Sequence, residues 1–308
     1  MKAQGLKGSK FGNFNGFTMA EVLITLGIIG VVAAMILPTV INTTRNKEYA
    51  AAKKKIMHTI GEGTKMLVVQ GEMRSASSAE DFVENQLKRT IKIIQTCKND
   101  NLRGCGIETR PNKIYDLSEN PTTMPTKFGD LAEGINSSGN IDVNSTSYGF
   151  VMSNGYAVNL FYNPNCKTDD PDANHWGQDR VCVNIIYDTN GLGEPNQVGK
   201  DIGFVTMLYP DESTQTVAPD VYNKNATPSD FHHADSACKA LDKSLSVPSR
   251  DELLSMYINS KMSGIAPGYY WSSSSATGEL GWRQSFNSGY RYRGAMSDAT
   301  GGVRCVRK

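Results

Sequence analysis

The hydrophobic pattern of this chain changes character three times. From Thr18 to Ile41 the residues are almost all apolar, with the single charge Glu21. Such a run is long enough to cross a bilayer, which takes roughly 20 residues. A carboxylate inside it costs on the order of 3 kcal/mol and is read as functional. From Tyr49 the pattern becomes periodic: Tyr49, Ala52, Ile56, Ile60, Gly63 and Leu67 recur at spacings of three and four, one face of a continuing helix. Pro38 is a site for a kink, because proline removes a backbone bond. A helix of about 50 residues would be roughly 75 Å long.

Ser77 and Ser78, with Glu80 and Asp81 behind them, predict the capped start of a second helix carrying Phe82, Val83, Leu87, Ile91 and Ile94. The passage from Asn99 to Ser147 has little periodicity and reads as loop with short strands. Four strand-like runs come next. Tyr148 to Ser153 and Tyr156 to Tyr162 flank Asn154-Gly155, a two-residue hairpin turn. Val181 to Tyr187 and Gly203 to Tyr209 flank a Gly/Asn-rich loop. Pro210 to Asp230, rich in Asp, Thr, Pro and Ser, reads as a linker. Beyond it come two short helices, His232 to Leu241 and one capped by Ser249 and Glu252, and three short strands at Tyr269 to Ser275, Gly281 to Asn287 and Gly301 to Arg307.

Charge gives the orientation. The leader Met1 to Asn15 carries Lys2, Lys7 and Lys10 and no acid, so it stays cytoplasmic and the bulk of the chain is expected outside. A net charge of +1 over 308 residues argues against a dedicated nucleic-acid binder. The six cysteines, all beyond the apolar run, read as a disulfide framework with 15 possible connectivities. Nearest-neighbour pairing gives Cys97–Cys105, Cys166–Cys182 and Cys238–Cys305. No Cys-x-x-Cys or matching His spacing points to zinc.

The Gly16-Phe17 junction, Glu21 four residues past it, the unbroken apolar helix and Pro38 resemble the class III signal of type IV pilins and pseudopilins. A secretory signal has a shorter apolar core with its cut after it, whereas here the cut lies before. The resemblance implies cleavage between Gly16 and Phe17 by a prepilin peptidase and N-methylation of Phe17. It also implies that Glu21 meets the terminal amine of a neighbouring subunit, each buried charge tolerable only with the other. The implied fold is α+β: a long N-terminal helix packed on an antiparallel head.

The tail from 231 to 308, with its Ala-x-x-Cys helix, VPSRDEL helix, YYWSSS strand and terminal GVRCVR strand, resembles a C-type-lectin-like module of bacterial surface proteins. In that fold the first helix and last strand share a disulfide, which also selects Cys238–Cys305. The expected domains are a cleaved leader (1–16), an assembly helix (17–41), a pilin-like head (42–210), a linker (211–230) and a small α+β lectin-like domain (231–308).

Two ligand sites are candidates. The oxygen-bearing residues Asp188, Asn190, Glu194, Asn196 and Asp201 suit calcium, as in a loop some pseudopilins carry; a solvated polar turn is the alternative. Between Gly281 and Lys308 six basic residues face one acid, Asp298, a balance of 6 − 1 = +5. There Tyr290, Arg291, Tyr292 and Arg293 could stack on a sugar or base; the alternative is a strand with rings on one face and solvated arginines on the other. The histidines lack a nucleophile or carboxylate at motif spacing, so no enzyme and no cofactor beyond calcium is expected. The expected function is a minor pilin-like subunit, in the inner membrane before assembly and then in a surface filament, with other pilins as partners and a glycan, protein or DNA as ligand. A pseudopilin of a secretion system and a DNA-uptake pilin are the alternatives.

Overall fold

The computed structural model describes residues 18–135, 140–167, 175–209, 215–276 and 278–308. The chain divides into two compact units, residues 1–48 and 49–308.

Helix α1 (Met19–Val69) belongs to both and runs through Pro38 without interruption. In the first unit it has no polar face to distinguish from an apolar one, and its large apolar side chains from Met19 to Ile41 are exposed. By length and composition it can cross a membrane. In the second unit Ala52, Ile56, Ile60 and Leu67 are buried, the stripe expected from their spacing.

A second helical run opens at Ser78, whose hydroxyl accepts from the Asp81 N–H. It comprises α2 (Ala79–Asp81), a π-wound middle (Phe82–Leu87) and α3 (Lys88–Thr90). Phe82, Val83 and Leu87 are buried, and Phe82 stacks on Tyr162 at 4.6 Å between ring centroids. The helix stops at Thr90. Ile94, expected on it, lies exposed on the next strand.

The strands are β1 (Ile93–Cys97), β2 (Ile114–Tyr115), β3 (Pro121–Thr122), β4 (Tyr148–Met152), β5 (Ala157–Tyr162), β6 (His175–Trp176), β7 (Val181–Asp188), β8 (Ile202–Leu208), β9 (Gln215–Val217) and β10 (Asp220–Ala226). An antiparallel sheet of order β1-β4-β5-β7-β8-β9 forms the centre. Its β4–β5 hairpin turns at Asn154-Gly155, where Gly155 takes φ +87°, a conformation that suits glycine. Every residue of β5 and β7 is buried, because both sheet faces are covered. Val158, Leu160 and Tyr162 face Ile56 and Ile60 of α1, while Phe161 and Ile186 join a second core. Leu102, Ile107, Phe128 and Leu131, from the passage read as loop, also line that second core.

The C-terminal region adds α4 (Phe231–Leu241), β11 (Leu245–Ser246), α5 (Arg250–Ile258), α6 (Ser260–Ser263), β12 (Tyr269–Ser275), β13 (Leu280–Ser285), β14 (Tyr290–Ala295) and β15 (Val303–Arg307). Ser249 and Glu252 cap α5 reciprocally. The expected linker is not a linker. Within 211–230, β9 edges the central sheet and β10 pairs with β15 in a sheet of order β10-β15-β11. Val221 and Ala226 supply the buried positions that a Pro/Asp/Thr-rich composition conceals. Nor is 231–308 a separate body: β14 pairs with β6, and Leu253, Leu254, Tyr257 and Phe286 share the core of Phe161 and Leu208. Asp251 of α5 pairs with Arg180, directly before β7, at 2.6 Å, and Asn259, the residue that ends α5, accepts from the Asn184 amide of β7 at 2.9 Å. Three disulfides, Cys97–Cys105, Cys166–Cys182 and Cys238–Cys305, tie neighbouring elements, the last joining α4 to β15.

Candidate functional site

The processing residues Gly16 and Phe17 lie outside the described residues. Directly after them the chain forms a reciprocal cap. The Thr18 N–H and hydroxyl each donate to Glu21 Oε2 at 2.8 Å, and the Glu21 N–H donates back to Thr18 Oγ1 at 3.2 Å. Threonine at the first turn with glutamate three residues on satisfies two otherwise orphaned N–H groups and starts the helix here. The carboxylate is therefore held at the N-terminal end of the apolar run, against Thr18.

The loop between β7 and β8 organises around two buried aspartates. Asp201 accepts from the N–H groups of Asn196 and Gln197, both at 2.8 Å, so its two oxygens serve the loop backbone. Asp188 Oδ1 accepts from the Asn190 N–H at 2.9 Å, while its Oδ2 is buried without a partner, as is Asn196 Oδ1. The Asn190 carboxamide donates to the Glu194 carbonyl at 3.0 Å. Burial pushes the Asp188 carboxyl up to about 8, against the pull of the Asn190 N–H and with a push from the Asp201 charge. Among the described residues no group of three or more His, Cys, Asp or Glu comes together to hold a metal. The loop closes on its own backbone, and Asp188 keeps one unused oxygen.

The basic tail turns inward. Arg283, Arg291 and Arg304 are each at most 5 % exposed. Arg283 stacks on Trp271 at 3.8 Å and donates to Asp298 Oδ2 at 2.8 Å and to the Asp298 carbonyl at 3.1 Å. The Thr300 hydroxyl and Arg283 hold the Asp298 carboxyl well below the usual range. Arg304 donates to Asn225 Oδ1 at 2.8 Å, across to β10. Arg291 lies so close to Gly177 that an added Cβ there would come within 2.2 Å of its Nε. Of the four expected ligand residues, Arg291 is thus inside. Tyr290, Tyr292 and Arg293 are half-buried, and Tyr292 meets the exposed Tyr269 edge-on at 5.6 Å. The expectation of rings on one face and arginines on the other holds in parity, but the arginine side faces protein at Arg291 rather than water.

A family model described as the prokaryotic N-terminal methylation motif matches residues 12–37. The match takes in the Gly16-Phe17 junction, Glu21 and most of the apolar run, and it gives the chain a prepilin-type signal of the kind found in type IV pilins and pseudopilins. The motif implies processing by a prepilin peptidase and assembly with other pilin subunits, a structural rather than catalytic role. No curated protein matches the chain significantly.

Proposed function

We propose that this chain is a minor pilin-like subunit of a type IV pilus or related filament, cut between Gly16 and Phe17 and methylated at Phe17. The methylation motif over residues 12–37 carries the reading. Physical chemistry agrees with it: a helix apolar on all sides and exposed from Met19 to Ile41 needs lipid or neighbouring helices around it. Before assembly the chain resides in the inner membrane with residues 49–308 outside, and Glu21 is offered to the amine of an adjacent subunit in the filament. The C-terminal region then serves as a lectin-like module displayed for surface interaction. Supporting it are the α4–β15 disulfide, the Ser249 cap and the buried Trp271 between α4 and β15.

Co-expression with a prepilin peptidase tests the reading. The mature chain is expected to begin at methylated Phe17 by intact mass and terminal sequencing. A chain still beginning at Met1, or one cut near Ala34, removes it.

A further inference from the structure

Two loops and a bulged strand, distant in sequence, converge at one cleft. The first is the turn after β2, where Asp116 Oδ1 accepts from the N–H groups of Ser118 (2.8 Å) and Asn120 (2.9 Å). The turn puts Glu119 at φ +67°, an uncommon conformation for a residue with a side chain. The second is the β7–β8 loop, clamped by Asp201 and presenting Lys200. The third is β10, which bulges: between Val221 and Asn225 its partner advances only from Val306 to Arg304, leaving two extra residues on β10. Bulges re-aim side chains, and this one sends Tyr222 and Asn223 to the cleft wall.

The cleft measures about 550 Å³, within the few hundred to about 1,000 Å³ of small-ligand sites. Leu117, Val198 and Val221 line it but are each at most 9 % exposed, so the half-buried Tyr222 ring is the apolar surface it offers a ligand. Its rim holds Glu119, Lys200, Asp220, Tyr222, Asn223 and Arg307. The rim charges balance, Lys200 and Arg307 against Glu119 and Asp220, so 2 − 2 = 0; Lys200 stands 3.5 Å from Glu119, while Asp220 and Arg307 face Lys53 at 3.9 Å and Asp242 at 3.8 Å, both outside the cleft. A site without net charge does not attract a phosphate backbone, whose binding draws on uncompensated cations. It does suit a ligand with an apolar face, hydroxyls that both donate and accept, and no charge of its own.

We propose that this cleft binds a neutral glycan of about two sugar rings. The ring face lies on the Tyr222 ring, and the hydroxyls meet the Glu119 and Asp220 carboxylates, the Asn223 amide and the Arg307 guanidinium. The proposal rests on the surface-interaction reading and deepens it by naming site and ligand class, and its test does not depend on cleavage at Gly16. The site is distinct from the tyrosine-arginine strand singled out in the sequence.

The full chain, in a detergent without a sugar headgroup, is applied to an array of neutral, sialylated and sulphated oligosaccharides, with titration of the strongest binder. Neutral glycans are expected to be retained. Tyr222→Ala and the exposed Asn223→Ala are each expected to weaken binding by about tenfold or more, the latter with no change in melting temperature, while Tyr292→Ala leaves affinity unchanged. No neutral glycan above background, retention of charged glycans only, or loss with Tyr292→Ala but not with Asn223→Ala would each overturn the proposal.

Discussion

Asp188 ends a strand with a carboxyl that is buried and half-used, and its titration is a property the whole protein feels. Folding raises it from 3.8 to about 8, with burial as the main cause. Between these values the folded chain keeps a proton that the unfolded chain releases. Stability is therefore lost as pH climbs from about 4 to about 8, at up to about 2 °C of melting temperature per pH unit for one proton in a domain of this size. Asp188→Asn, which imitates the protonated acid, is expected to flatten the difference between melting curves at pH 5 and pH 8; equal slopes in both proteins would refute it. Calcium carries an opposite signature, since a cation needs Asp188 ionised. With Asp201 committed to two N–H groups, millimolar calcium is expected to leave the pH 8 melt unchanged, and a calcium-dependent rise abolished by Asp188→Asn would place the ion there instead. The oxygen-rich composition of this loop was legible in the sequence, but its use was not: which oxygens face backbone N–H groups depends on how the loop closes. The arginines teach the same lesson. Arg283 becomes structural only because Trp271 and Asp298, from two other segments, arrive around it.

At the scale of elements, α5 is the piece that binds the C-terminal region to the central sheet. Its Asp251 pairs with Arg180 where the side chains are 15 % and 6 % exposed. Removing one partner of such a pair strands a buried charge, at about 3 to 5 kcal/mol. Asp251→Ala is therefore expected to destabilise the fold by that order in denaturant unfolding, and adding Arg180→Met to it should recover much of the loss; two independent, additive losses would show that the pair is not coupled. The disulfide between α4 and β15 closes 67 residues, worth about 4 kcal/mol in the chain-entropy model. Cys238→Ser with Cys305→Ser should lower stability by about that amount, and an unchanged unfolding midpoint would refute the estimate. Helix starts and the hairpin were legible because Ser78, Ser249 and Asn154-Gly155 act through neighbours in sequence. β10 was not, since an edge strand with a bulge shows only Val221 and Ala226 as buried apolar positions. β5 and β7 could be read as strands, but their being covered on both faces depends on segments far from them in the chain, α1 on one side and the 102–131 passage with α5 on the other.

For the molecule as a whole, the distribution of charge separates the remaining functional readings. A local excess of +5 in the last 28 residues suggested a DNA-binding surface, 6 − 1 counted along the chain. Folding withdraws Arg283, Arg291 and Arg304 from solvent. Of the other three, Arg307 stands 3.8 Å from Asp242 and Lys308 2.6 Å from Glu252. Three surface cations, engaged as Arg307 and Lys308 are, release few counterions, and three phosphate contacts give a logarithmic salt slope no steeper than about −3. The full chain is accordingly expected to lose DNA from a filter-binding assay by about 0.15 M salt, where that few contacts leave little affinity. Arg291→Ala separates the two cases: it should lower the melting temperature, because the side chain packs against Gly177, without altering the slope. A slope steeper than about −5 that flattens in Arg291→Ala and Arg293→Ala would mean that this face meets nucleic acid after all, and the subunit would then belong to DNA uptake rather than to glycan-directed adhesion.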